Sequence, residues 1–138
     1  MIPILEKLKS FNLPSNQFAI FGSGPMFAHG IRDWSDFTDL DLIGYGEAWE
    51  IAKSKAIKLV YDEDWQCEIA TLDDNIDIRN GWWPGDYNIK ELIQTSDLIN
   101  GFRWVDLNEV IIWKALMGRK KDLEHIRLIK EFLLHQPK

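Results

Sequence analysis

The stretch "FAIFGSGPMFAHG", residues 18–30, sets a continuous apolar run against Gly22-Ser23-Gly24 and follows it at once with Pro25. Four apolar residues in a row, Phe18 to Phe21, predict a short strand buried on both faces. Proline directly after the glycines suits the first turn of a helix, so residues 25–30 predict a short helix that Gly30 ends. A strand that runs through Gly-Ser-Gly into a helix start leaves backbone N–H groups pointing one way. Such a nest can hold a phosphate oxygen, and glycine lets the ligand approach closely. The same three residues also read as an ordinary tight turn.

The next apolar stretch decides between these readings. In "TDLDLIG", residues 38–44, polar and apolar residues alternate. Asp39 and Asp41 therefore project to one face of a strand over 40–43, and Leu40 and Leu42 to the other. Two carboxylates at i and i+2 raise each other's pKa and cost stability unless something neutralises them. A divalent cation does so: Mg²⁺ prefers oxygen ligands and keeps positions open for substrate phosphates. The alternative is an edge strand with a solvated acidic face.

The chain is long enough for a core, at 138 residues with 46% apolar content and seven tryptophans, and it shows no repeat, linker or low-complexity segment. A single domain over 1–138 is expected. No apolar run is long enough to cross a bilayer, and the N-terminus has acids and no small-residue cleavage site, so no signal peptide is expected. One cysteine, Cys67, forms no internal disulfide, and a cytoplasmic protein is the expectation. A net charge of −6 counts against a broad nucleic-acid-binding face. An acidic protein that binds a polyanion needs metal ions or a local basic site.

Periodicity and capping signals predict helices over 3–11, 47–55, 89–94, 96–99, 107–117 and 120–134, and further strands over 57–61, 66–71 and 75–79. "IRDWSDFT" and "NGWWPGDYN" read as connections. Asp106 and Glu109 have the spacing of a capping box, and Gly118 separates the two long helices. Leu123, Ile126, Ile129 and Leu133 give the last helix an apolar stripe. The fold class is α/β or α+β: a small mixed sheet over about 15–80, flanked by helices, with a helical half over about 88–135.

Taken together, Gly22-Ser23 at the end of one buried strand and Asp39-Leu40-Asp41 on the next resemble the nucleotidyltransferase superfamily of the DNA polymerase β type. The C-terminal "WKALMGRKKDLEHIRLI" is similar to the tail of its small stand-alone members, with His125 where many of those carry an acid. The resemblance implies a third acidic residue on a later strand. Asp77 in "NIDIRNGW" is preferred, with Glu68 in "CEIAT" as the alternative. It also implies a nucleoside triphosphate as substrate and Mg²⁺ or Mn²⁺ held by Asp39, Asp41 and Asp77. Gly22, Ser23 and Gly24, with Arg32 and Lys121, would bind the triphosphate, and NMP would pass to a hydroxyl acceptor on a small molecule, an RNA end or a protein side chain. A partner chain or a homodimer would supply what a minimal domain lacks, and some stand-alone members act in toxin–antitoxin pairs. The alternative is a degenerate member that binds a nucleotide or a partner without catalysis. Lys114, Arg119 and Lys120 either fold back over the nucleotide or form a solvated helix start in which Lys121 pairs with Asp122. His29 and His125 have no metal-ligand spacing and read as structural or exposed. Trp82 and Trp83, adjacent in a polar loop, cannot both be buried.

Overall fold

A computed structural model describes residues 2–136. In chain order the elements are α1 (Pro3–Ser10), β1 (Phe18–Ile20), α2 (Gly24–Ala28), a 3-10 turn at Trp34–Asp36, β2 (Leu40–Gly44), α3 (Gly46–Lys55), β3 (Lys58–Asp62), β4 (Cys67–Asp73), β5 (Ile76–Arg79), α4 (Ile89–Gln94), β6 (Asp97–Ile99), β7 (Phe102–Trp104), α5 (Leu107–Met117) and α6 (Lys120–Leu134). The strands form one mixed seven-stranded sheet in the order β3-β4-β5-β2-β1-β7-β6. The two pairs β2–β5 and β1–β7 are parallel, and the other four are antiparallel.

The apolar pattern explains the layers. Leu40, Leu42, Ile76, Ile78, Ala70 and Leu72 point to one side of the sheet, where Leu5 and Leu8 of α1 and Ala48, Trp49 and Ala52 of α3 cover them. On the other side Ala19, Phe21 and Ile43 meet Leu92 and Ile93 of α4, Val110 and Trp113 of α5 and Ile129 of α6. Phe18, Ala19 and Ile20 are all buried, as expected of a strand enclosed on both faces. β3 is an edge strand whose Leu59 and Tyr61 stay exposed. Its flanking Lys58 and Asp62 are the kind of charges that discourage edge pairing.

Two sequence expectations change in the C-terminal half. Residues 96–99 are not helical: Asp97–Ile99 is a strand that pairs antiparallel with Phe102–Trp104. Asn100 and Gly101 both adopt positive φ, 53° and 83°, the conformation a tight hairpin turn demands. The Asn-Gly pair between apolar flanks was the signal for this hairpin. It matters because β7 pairs with β1 through Ile20 and Trp104, so the strand carrying the Gly-Ser-Gly turn is central in the sheet. The stripe on α6 is also displaced. Ile129 is buried, with Leu128 and Phe132 beside it against the core, whereas Leu123 and Leu133 remain exposed. The helix is rolled so that Asp122, also fully buried, faces inward. Gly118 ends α5 in the left-handed region at φ 66°, as its place between the helices predicts. Among the described residues no helix is long and apolar enough to cross a membrane.

Candidate active site

β1 ends at Ile20, and the chain turns through Phe21 and Gly22 into α2, whose N-cap is Ser23. Gly22 has φ +62°, and a Cβ there would stand 3.1 Å from Asp41 Oδ2. At Gly24 a Cβ would collide with Ile20 Cγ2 at 2.5 Å. Both glycines are thus needed for close approach: one between the turn and Asp41, the other between the helix start and its own strand. β2 pairs antiparallel with β1, which brings the Asp-Leu-Asp segment opposite the turn.

A cavity of about 510 Å³ opens over this turn. Gly22, Ser23, Gly24, Asp39, Asp41, Arg32 and Lys121 all line it, so the structure gathers most of the residues the sequence nominated into one place. Arg79, Arg119, His125, Trp65 and Trp82 complete much of the wall. Arg32 is held over the Phe27 ring, 4.6 Å from its centroid.

The two candidates for the third acid are placed differently. β5 runs parallel to β2 with Asp77 in register beside Asp41, so both side chains point to the same side of the sheet. Asp77 does not itself line the cavity; it is half-buried, and its Oδ1 accepts a hydrogen bond from Thr71 Oγ1 at 2.7 Å. Glu68 shares a face of β4 with Ala70 and Leu72, which pack on the opposite side of the sheet from Asp41. Strand alternation therefore turns Glu68 away from the Asp pair.

A guanidinium stands between the acids. Arg79 Nη1 donates to Asp41 Oδ1 at 2.9 Å, and Nη2 lies 4.0 Å from Asp77 Oδ2. Its Cζ lies 4.7 Å from the centroid of Trp65 and 5.7 Å from that of Trp82. Trp82 is buried and stacked on Phe21 at 4.4 Å, whereas Trp83 is exposed, so the adjacent pair divides as expected. Arg79 was absent from the sequence reading. Its place two residues after Asp77, on the same strand face, was the available signal.

Behind the turn lies a second charged cluster. Lys114 of α5 is 1% exposed, and its Nζ donates to Ser23 Oγ at 3.0 Å. The same Nζ is 3.0 Å from His125 Nδ1 and 3.6 Å from Asp122 Oδ1. Burial, against a partly compensating Asp122, lowers the Lys114 pKa to about 8. Burial, together with the Lys114 charge, lowers His125 to about 4, so its imidazole is neutral and its Nδ1 accepts from Lys114. For Asp122 burial acts to raise the pKa, but the Arg119 side chain and backbone N–H, with Lys114 nearby, hold it below the ordinary value. Asp122 Oδ2 accepts from Arg119 Nε at 2.6 Å and from Arg119 N at 3.1 Å. The carboxylate of Asp122 is thus engaged by Arg119 and Lys114, whereas Lys121 lines the cavity. This corrects the expected Lys121–Asp122 pair. His125 likewise takes part in the site's hydrogen bonding.

The acids match a divalent cation in kind. Asp39, Asp41 and Asp77 offer only carboxylate oxygens, the donors Mg²⁺ and Mn²⁺ take, and Gly22 leaves Asp41 Oδ2 uncovered by any Cβ. Among the described residues, however, no three His, Cys, Asp or Glu side chains converge closely enough to hold a metal ion. The guanidinium of Arg79 occupies one side of that donor set.

No protein-family model matches the chain, and no curated protein does. Among solved structures the chain is similar to ANT(2'')-Ia, an aminoglycoside nucleotidyltransferase crystallised in complex with adenylyl-2''-tobramycin. The identity is 22% and the TM-score 0.58, over 94% of this chain and 85% of that one. The chain therefore has a nucleotidyltransferase-like fold.

Proposed function

We propose that this protein transfers NMP from a nucleoside triphosphate to a hydroxyl acceptor. The observation that carries the reading is one cavity that joins a Gly-Ser-Gly turn, which offers backbone N–H donors, to the carboxylates of Asp39 and Asp41. The turn suits an outer phosphate, and the carboxylates suit the cation a triphosphate brings with it. The nucleotidyltransferase-like fold supports the same chemistry.

In this mechanism Asp39 and Asp41, with Asp77, would hold Mg²⁺ or Mn²⁺, which would offset the charge of the triphosphate and the departing pyrophosphate. The chain's own groups do the rest. Gly22, Ser23 and Gly24 bind the outer phosphates, and Lys114 fixes the Ser23 hydroxyl from behind while adding positive charge. Arg32, Arg119 and Lys121 line the same cavity and add cationic contacts. The acceptor oxygen bonds to the α-phosphorus as the bond to the bridging oxygen breaks, and pyrophosphate leaves with that electron pair. Asp77 receives the acceptor's proton. The neighbour's complex makes a hydroxylated small molecule the first acceptor class to test, ahead of an RNA end or a protein side chain.

A second reading has an observation of its own. The Arg79–Asp41 ion pair and the lack of a converging trio among the described residues favour a protein that binds nucleotide without transferring NMP. One experiment separates the two. The protein is incubated with each α-labelled NTP, Mg²⁺ or Mn²⁺ and acceptor panels, beside an Asp39→Ala/Asp41→Ala control. Transfer lost in the control supports the enzyme. Transfer that survives it overturns the carboxylate mechanism, and saturable NTP binding with no transfer supports the binder.

A further inference from the structure

We propose that Arg79 is a built-in counter-cation that occupies Asp41 Oδ1 and so weakens divalent-metal binding at Asp41 until a phosphate draws the guanidinium away. The proposal rests on the nucleotidyl-transfer reading and adds a regulation of metal entry to it.

The geometry singles out this arginine. Its side chain is 13% exposed and makes one good ion pair, Nη1 to Asp41 Oδ1 at 2.9 Å. The second, from Nη2 to Asp77 Oδ2, is stretched to 4.0 Å. Nε is buried with no hydrogen-bond partner among the described residues. Arginine carries five N–H donors and does not lose its proton in a protein, so this guanidinium holds unspent donors at full charge. Asp41 cannot be freed by deprotonating its partner. It is freed only if the guanidinium moves or finds another anion.

Apart from the Asp41 ion pair and the stretched Asp77 contact, the guanidinium lies against aromatic faces. Trp65 and Trp82 flank Arg79, and a cation over an aromatic face is attracted without a fixed bond direction. Arg79 also lines the cavity that holds Ser23, so a phosphate on the glycine turn shares that space with it. A phosphate there competes with Asp41 for the guanidinium, and bidentate arginine–phosphate pairing is a strong interaction. Releasing Asp41 makes room for the cation. Metal and triphosphate then bind with positive coupling, each favouring the other.

The test measures Mn²⁺ binding without nucleotide, by the electron paramagnetic resonance signal of the free ion. The proteins compared are wild type, Arg79→Met, Arg79→Lys and Arg79→Met/Asp41→Asn. Arg79→Met should bind Mn²⁺ about tenfold or more tightly than wild type, an ordinary coupling magnitude, and Asp41→Asn should abolish the gain. Arg79→Lys, which keeps the charge but loses the fork, should fall between. Equal affinity in wild type and a folded Arg79→Met overturns the proposal and leaves nucleotidyl transfer standing. Should Arg79→Met fail to fold by circular dichroism, an Arg79→Lys affinity no higher than wild type overturns it. If no variant binds Mn²⁺, the proposal falls, and label transfer with the Asp39→Ala/Asp41→Ala control judges the wider reading separately.

Discussion

Lys114 carries a desolvation cost that Ser23, His125 and Asp122 offset only in part. A lysine with 1% exposure loses its hydration, and its pKa falls from 10.5 to about 8. The unfolded chain therefore holds this proton more tightly than the folded one between pH 8 and 10.5. Stability should rise with pH across that window, by up to about 3 kcal/mol in the limit of the full shift. His125, lowered to about 4 chiefly by burial, acts in the acid range. There too the unfolded chain binds more protons, so stability should fall as pH drops from 6.5 toward 4. Urea midpoints from pH 4 to 10 measure both effects. Lys114→Met should flatten the alkaline rise, and His125→Asn the acid fall. Lys114→Met also takes one partner from the buried Asp122, which should lower the melting temperature, although the Arg119 ion pair to Asp122 remains. Transfer activity should fall by about a hundredfold or more, the order of losing one preorganised charged donor. Wild-type kcat/KM should decline as pH rises through 8. A variant that loses stability and keeps activity would make Lys114 a structural residue only.

At the scale of elements, strand pairing separates two acids that the sequence ranked only by resemblance, Asp77 ahead of Glu68. Asp77 and Glu68 each lie between apolar neighbours on short strands. The parallel pairing of β5 with β2 sets Asp77 beside Asp41, while strand alternation turns Glu68 to the opposite face. Asp77→Asn should therefore reduce transfer by about 10²- to 10⁴-fold, the range for a lost general base, and Glu68→Gln should stay within a few-fold of wild type. Steady-state rates on one NTP and acceptor decide this, and equal losses would count against the assignment. Most elements were legible because their apolar periods are local: β1, β2 and the long helices each declare themselves within about ten residues. Partners were not legible, because register between distant segments depends on the assembled sheet. So Arg79 was missed as the partner of Asp41, and Lys114 as the partner of Ser23. The β6–β7 hairpin is a different case, since its Asn100-Gly101 turn was a local signal and went unread. Gly118 acts at this scale too. Its positive φ sets the break that lets Asp122 and His125 of α6 fold back on Lys114 of α5. Gly118→Ala should cost about 1 kcal/mol in denaturant unfolding and lower nucleotide affinity by loosening that cluster.

Across the whole molecule, charge is unevenly distributed. The chain has a net charge of −6, yet Arg32, Arg79, Arg119 and Lys121 line one cavity over the glycine turn, with Lys114 behind it. These cations come from both sides of the fold: Arg32 follows α2, Arg79 ends β5, and Lys114, Arg119 and Lys121 belong to α5, α6 and their junction. A triphosphate held there touches the strand-bearing half and the C-terminal helices together, which the unfolded chain cannot reproduce. Binding only to the folded state stabilises it by about 2.7 kcal/mol at a ligand concentration a hundred times Kd. For a chain of 138 residues that corresponds to a rise in Tm of roughly 9 °C. The cognate NTP with Mg²⁺ should therefore raise Tm by several degrees, and scanning the four NTPs identifies the base by the largest shift. Asp39→Ala/Asp41→Ala should lose the Mg²⁺-dependent part of the shift, because the proposed mechanism assigns the cation to those carboxylates. Lys114→Met should lose the part that persists without Mg²⁺, because the proposed mechanism sets its charge behind Ser23, the residue assigned to the outer phosphates. Separate losses require two distinct sources of affinity in one cavity, carboxylates for the metal and cations for the phosphates. A Tm unmoved by every NTP at millimolar concentration with Mg²⁺ would leave the gathered cations with no triphosphate to bind.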